Sequence, residues 1–363
     1  MSLFIGLMSG TSMDGIDAAL VDVSTNTLIA GITRPYSEAA EQLLRAVLQG
    51  EKTGLHVLSQ LNTVLGREFA LAVHQVLEQA QVPPEQVLAI GSHGQTICHD
   101  AEADIPYTVQ LGCAHTIAEA TGISVVADFR TRDMVLGGQG APFAPLYHQA
   151  LFASLETPMA VVNVGGIANV TFLAPSVRVS GYDTGPGNAL MDAWAQKHLG
   201  RPYDKNGAWA ATGHVIEPLL AALLNDDYFS LPAPKSIDKA YFSEYWLASY
   251  LLPDFEAHDI QATLVALTAI TIEHAIQASN LNPTRVAVCG GGVHNGALMD
   301  AIRARLPGLP VDSTAVLGVS PDFLEAMMFA WFADKTLNHV PLDLTRITGA
   351  RHPSIFGAIY PVG

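Results

Sequence analysis

The chain is poor in cations. Its 363 residues hold 18 Lys and Arg against 34 Asp and Glu, a net charge of −16. A surface of that sign repels nucleic acid and anionic lipid, so neither is an expected partner. Nucleotides stay open, because phosphates are commonly held by local backbone N–H groups and a metal ion. Cysteine is scarce too: Cys98, Cys113 and Cys289 lie far apart, without CxxC spacing. That excludes a disulfide framework and a thiolate zinc site, and leaves buried reduced thiols. His99, His115 and His148 show no metal-ligand spacing. No run of about 18 apolar residues appears, and residues 1–20 lack a basic stretch followed by an apolar one. Neither a membrane span nor a signal peptide is expected, and the cytoplasm is the expected compartment.

Apolar residues are plentiful at 49%. Single cores stop growing near about 250–300 residues, so this chain suits two domains. Residues 3–7 form a short apolar run, 9–15 a turn of small residues, and 16–23 a second apolar run. That pattern reads as strand, glycine turn, strand. Further strands are expected at 27–33, 87–91 and 123–127, with helices at 38–50, 56–80 and 112–121. Residues 131–145 are rich in Gly and Pro, and the domain junction is placed there.

The pattern then restarts. Strands are expected at 159–164, 167–173 and 177–182, the first two joined by Gly165-Gly166. A helix begins near Ala189, and others are expected at 261–279, 295–305 and 321–336, with a strand at 285–288. Strands alternating with helices imply α/β sheets covered by helices. The repeated hairpin is a weak internal duplication. The first domain is expected to span residues 1–130 and the second 131–363, with the C-terminal segment free to pack back on the first.

Four stretches carry candidate chemistry. Gly10-Thr11-Ser12-Met13-Asp14-Gly15 combines flexible backbone with hydroxyl donors, and successive N–H groups in such a turn form an anion-binding nest. Alone, a plain hairpin turn explains it better. It is no Walker loop, since no Gly-Lys-Ser/Thr follows. Nor is it a dinucleotide fingerprint, since a strand follows the glycines. Asn163-Val164-Gly165-Gly166-Ile167-Ala168-Asn169 repeats the design, and two such turns can grip a polyphosphate from both sides of a cleft. Asp183 ends a strand and is followed by Thr-Gly-Pro-Gly-Asn. There it can orient or deprotonate an attacking group, or simply cap a turn. Gly290-Gly291-Gly292 offers a flat surface for a purine and ribose, or is a strand-to-helix turn. Beyond these, His93 and Gln95 end one strand, and Arg130 ends another with a fork suited to a carboxylate. Glu325 sits in a late helix where a buried carboxylate is unusual.

Residues 5–17, Ile-Gly-Leu-Met-Ser-Gly-Thr-Ser-Met-Asp-Gly-Ile-Asp, resemble the N-terminal signature of the anhydro-N-acetylmuramic acid kinases. The likeness continues at residues 92–96, 128–130, 137–143, 163–169, 183–188, 290–295 and 325–326. It implies two similar actin-like (ribonuclease H-like) α/β domains around a central nucleotide cleft, the fold of actin, hexokinase and the heat-shock chaperones. It implies that ATP with Mg²⁺ phosphorylates 1,6-anhydro-N-acetylmuramic acid while water opens the anhydro bridge. The product would be N-acetylmuramic acid 6-phosphate, in bacterial peptidoglycan recycling. By the same resemblance Asp183 would be the general base. Gly10 to Gly15, Ile16, Asp17, Asn163, Gly165 and Gly166 would hold phosphates, and Gly290, Gly291 and Gly292 the adenosine. Arg130 would hold the lactyl carboxylate, with His93, Gln95 and Glu325 in the sugar pocket. No side chain is assigned to Mg²⁺, and a homodimer is implied. Two alternatives stand beside this: an ordinary sugar kinase phosphorylating a free hydroxyl, and a non-catalytic actin- or chaperone-like nucleotide switch.

Overall fold

A computed structural model describes the whole chain except residues 11–14, 53, 154–155, 234 and 238–240. Its strands are β1 (Leu3–Ser9), β2 (Ile16–Asp22), β3 (Thr27–Arg34), β4 (Val87–Asp100), β5 (Tyr107–Leu111), β6 (Val125–Ala127), β7 (Met159–Val164), β8 (Ile167–Leu173), β9 (Ser180–Pro186), β10 (Val286–Cys289), β11 (Val311–Ser313) and β12 (Ala358–Tyr360). They form two sheets. The first runs β12-β6-β4-β1-β2-β3, with β5 on β4, and the second β11-β10-β7-β8-β9.

The two sheets repeat one plan. β1, β2 and β3 form an antiparallel meander, with β4 parallel beside β1 and β6 parallel beyond it. β7, β8 and β9 form the same meander, with β10 and β11 in the matching parallel places. The duplication read faintly in the sequence is therefore a duplication of strand order. Central strands carry long buried runs, as β7 does with Met-Ala-Val-Val-Asn-Val, because helices cover the sheets. The helix Ala257–Gln277 is buried almost all round, which suits an interior helix of the second unit. No single described helix is long and apolar enough to cross a membrane.

The chain divides into a unit of Met1–Tyr147 with Phe323–Gly363 and a unit of His148–Asp322. The boundary lies 17 residues later than the expected one at residue 130. Residues 131–145 look like a linker by composition, but are pinned. Asp133 is fully buried, and its carboxylate accepts from the Gly140 N–H at 2.7 Å and the Thr348 hydroxyl at 2.7 Å. Phe143 packs against Phe332 with ring centroids 5.4 Å apart.

The C-terminal segment belongs to the first unit because the helix Leu324–Leu337 lies directly on its sheet. Gly6 on β1 pairs with Gly91 on β4. A Cβ at Gly6 would land on the Ala326 carbonyl, and one at Gly91 on the Phe329 carbonyl. Two cross-strand glycines thus let helix backbone rest on sheet backbone. β12 then adds to β6. The helix starts at Leu324 rather than residue 321, and residues 320–322 are irregular. We predict that Gly6→Ala lowers stability by about 2–3 kcal/mol in urea unfolding, since the blocking atoms are backbone and cannot rotate away. An unchanged midpoint would show that the helix is free to lift off the sheet.

Candidate active site

In the first hairpin, Thr11, Ser12, Met13 and Asp14 lie outside the described residues; Gly10 and Gly15 flank them. The flanks of the turn are anchored. The buried Ser9 hydroxyl lies 2.9 Å from the Gly15 carbonyl and 2.8 Å from Gln95 Oε1, and accepts from the Tyr36 hydroxyl at 2.8 Å. Ile16 is fully buried in the first core, so only its backbone can face a ligand. The Asp17 carboxylate accepts from the Thr33 hydroxyl at 2.6 Å on the edge strand β3.

His93 and Gln95 do not end a strand. β4 continues to Asp100 because β5 pairs with its second half. Gln95 is fully buried; its Oε1 faces Ser9, and its Nε2 donates to the Thr96 carbonyl at 3.2 Å. Its amide oxygen thus helps to hold the strand that leads into the hairpin. Arg130 likewise sits in the first turn of the helix Phe129–Val135 rather than at a strand end. Its Nε donates to His93 Nε2 at 2.9 Å, and Nη1 to the Gly140 carbonyl at 3.1 Å. His93 is therefore neutral, with its proton on Nδ1 and donated to the Gly94 carbonyl at 2.8 Å. Burial, aided by the Arg130 charge, holds its pKa well below the usual range. Burial pushes Arg130 down to about 10, against the pull of Glu325 and Asp133, so it stays charged at neutral pH. The structure thus gathers His93, Arg130 and Glu325 in the first unit, with His93 orienting the guanidinium.

In the second unit the Gly165-Gly166 turn closes on the helix Asn188–Leu199. The Gly165 carbonyl accepts from the Asn188 N–H at 2.7 Å, and the Gly166 carbonyl from Gly187 and Ala189 at 3.0 and 3.2 Å. The first N–H groups of the helix are thus bonded within the protein. In a trans peptide the N–H points opposite to the carbonyl. The N–H groups of Gly166 and Ile167 therefore face away from the helix as successive donors, the arrangement that cradles a phosphate. Asn188 Nδ2 donates to the Val164 carbonyl at 2.9 Å. Gly290, at φ 78°, packs so closely that a Cβ would strike Asn163 Oδ1, and one at Gly292 would strike Val164. Asn163, the hairpin and the triple glycine thus converge, and Gly291 presents an exposed, side-chain-free surface.

Asp183 lies inside β9, not at its end. The expected strand 177–182 is instead Ser180–Pro186, because pairing with β8 continues past the aspartate. Ala168 pairs with Gly185 and Asn169 with Asp183, which leaves Thr184 as the extra residue of a β-bulge. Bulges re-aim neighbouring side chains. The half-buried carboxylate accepts from the Ile237 N–H at 3.0 Å, and burial pushes its pKa up to about 7 against that hydrogen bond.

A family model described as anhydro-N-acetylmuramic acid kinase matches residues 2–362. The chain belongs to that family. It is 56% identical to the anhydro-N-acetylmuramic acid kinase of Legionella pneumophila (strain Corby), covering all of this chain and 99% of that protein. It is 46% identical to the one from Photobacterium profundum, covering 99% and 98%. Among solved structures it is similar to component A of the (R)-2-hydroxyglutaryl-CoA dehydratase of Acidaminococcus fermentans. That likeness has a TM-score of 0.50 at 12% identity, covers 92% of this chain and 97% of that one, and speaks to fold alone.

Sequence reasoning did not single out Ser9, Tyr36, Asp133, Tyr228 or Lys235, which support the candidate residues from behind. Single polar residues in apolar surroundings carry no spacing signal. Asn188 had one, in the Gly-Pro-Gly-Asn stretch after Asp183. An aspartate that binds its proton more tightly when folded loses stability as it ionises, from about pH 4 upward and fully above pH 7. Asp183→Asn should match the wild-type unfolding free energy near pH 4 and exceed it increasingly through pH 7, by about 1–2 kcal/mol in urea unfolding. Water screening of a half-buried carboxylate keeps the gain below the full equivalent of the shift. A difference that does not change with pH would contradict this.

Proposed function

We propose that the protein is an ATP-dependent kinase that opens 1,6-anhydro-N-acetylmuramic acid with water and phosphorylates its 6-oxygen. The product is N-acetylmuramic acid 6-phosphate, returned to metabolism in peptidoglycan recycling. The full-length family match supports the substrate. What supports the mechanism is the Asp183 carboxylate, set beside the Thr184 bulge of β9 and held by the Ile237 N–H, where burial pushes its pKa up to about 7.

In this proposal the Asp183 carboxylate takes a proton from water as the water oxygen bonds to the anomeric carbon. The bond from that carbon to O6 breaks, and its electron pair goes to O6. O6 attacks the γ-phosphorus, ADP departs with the bridging pair, and the proton on Asp183 passes to solvent. The geometry resembles the base half of an inverting glycosidase, with a phosphoryl group in place of the usual acid. Positioning and charge neutralisation carry the remainder of the barrier.

Gly166 and Ile167 donate backbone N–H groups to phosphate, and Gly290 to Gly292 lie along the adenosine. Arg130, oriented by His93, takes the lactyl carboxylate through its guanidinium. Among the described residues no three His, Cys, Asp or Glu side chains are arranged to hold a metal. A Mg²⁺ that arrives with ATP and keeps phosphate and water ligands suits such a site. That ion would neutralise charge on the phosphates. A cytoplasmic homodimer completes the proposal.

The purified protein should turn over 1,6-anhydro-N-acetylmuramic acid with ATP, and N-acetylmuramic acid and N-acetylglucosamine poorly or not at all. Equal turnover of N-acetylmuramic acid would favour an ordinary hydroxyl kinase. For the anhydro sugar, kcat/KM should rise with pH through an acid limb near 7. Asp183→Asn should lose about 10²–10⁴-fold in kcat while ATP still binds. Retention of most activity would remove Asp183 from the base role.

A further inference from the structure

Asp183 is held by one stretch of chain from outside its sheet. β9 is an edge strand, so the main-chain groups of residue 183 that face away from β8 have no strand partner. Tyr228 and Lys235 supply partners. The Asp183 N–H donates to the Lys235 carbonyl at 3.0 Å, and the Tyr228 hydroxyl donates to the Asp183 carbonyl at 2.7 Å. The Ile237 N–H reaches the carboxylate itself.

Tyr228 is in turn locked. It is 4% exposed. Its N–H donates to Asp226 Oδ1 at 2.9 Å, and the same carboxylate accepts from the Tyr241 hydroxyl and from Trp246 Nε1, each at 2.8 Å. The Lys235 ammonium lies 4.5 Å over the Tyr228 ring and donates to its carbonyl at 3.0 Å. Burial, with the charge of Asp183 and the neighbouring Tyr182, pushes the Tyr228 phenol far above its ordinary value, so it remains a donor at any working pH.

We propose that Tyr228 is a positioning residue for Asp183, its hydroxyl fixing the main chain beside the Thr184 bulge and so aiming the carboxylate at the attacking water. This rests on Asp183 being the general base. Without the hydroxyl, the carbonyl of residue 183 loses its donor next to an irregular stretch of backbone, and the strand there can drift. Misplacement of a catalytic group by about 1 Å costs on the order of 10²-fold. The drift also loosens the Ile237 bond, which favours the ionised carboxylate.

The test is Tyr228→Phe in the full chain, assayed with ATP and 1,6-anhydro-N-acetylmuramic acid. We expect kcat to fall about 10- to 100-fold, with KM for both substrates near wild type. We expect the acid limb to move above 7, so that the deficit is greatest at low pH. A merely structural role would lower the melting temperature without moving that limb. Asp226→Asn weakens the same clamp without touching Asp183, and should show the same signs more weakly. It carries the test should Tyr228→Phe fail to fold. If Asp183→Asn is inactive while both variants keep wild-type kcat and acid limb, the positioning role is overturned and the base reading stands. If Asp183→Asn stays active, both fall.

Discussion

The chemistry proposed for Asp183 requires a carboxylate dry enough to keep its proton to about pH 7 and still firmly held. Those demands conflict. Desolvation raises proton affinity, whereas every donor aimed at the carboxylate lowers it. At Asp183 most of the holding is done through the main chain, by the Lys235 carbonyl and the Tyr228 hydroxyl. The Ile237 backbone N–H reaches the side chain. A base with an affinity near the working pH is available unprotonated and is still strong enough to take a proton from water.

The same economy runs through both units. Each builds an antiparallel meander with two parallel strands beside it, and each uses glycine where backbone must touch backbone. In the first unit Gly6 and Gly91 seat the helix Leu324–Leu337, which brings Glu325 to the unit that holds Arg130 and His93. In the second, the Gly165-Gly166 carbonyls satisfy a helix N-terminus, which turns the neighbouring N–H groups outward. The glycine motifs are thus packing devices first. The phosphate binding proposed for them would use the donors that this packing leaves aimed away from the helix.

Much of this was legible in the sequence. The two glycine hairpins, the alternation of strands and helices and the family likeness all rest on local patterns, and the α/β class follows from them. What was not legible depends on long-range pairing. β4 runs past residue 91 because β5 covers it, and β9 runs through Asp183 because a bulge lets pairing continue. Residues 131–145 read as a linker because Gly and Pro mark turns, yet Asp133 ties them to Thr348, over two hundred residues away. Gln95 was expected in the sugar pocket, and its amide also bonds within the protein, to Ser9 and to the Thr96 carbonyl. Composition cannot tell a polar group aimed at substrate from one aimed at the chain.

The most direct test is turnover in H₂¹⁸O, quenched before the sugar mutarotates and analysed by mass spectrometry against a control of unlabelled product incubated alike. Attack by water at the anomeric carbon predicts ¹⁸O on that carbon, beyond the control, and none in the transferred phosphoryl group. A sugar phosphate with no ¹⁸O above the control would contradict the water-opened bridge, and with it the role given to Asp183.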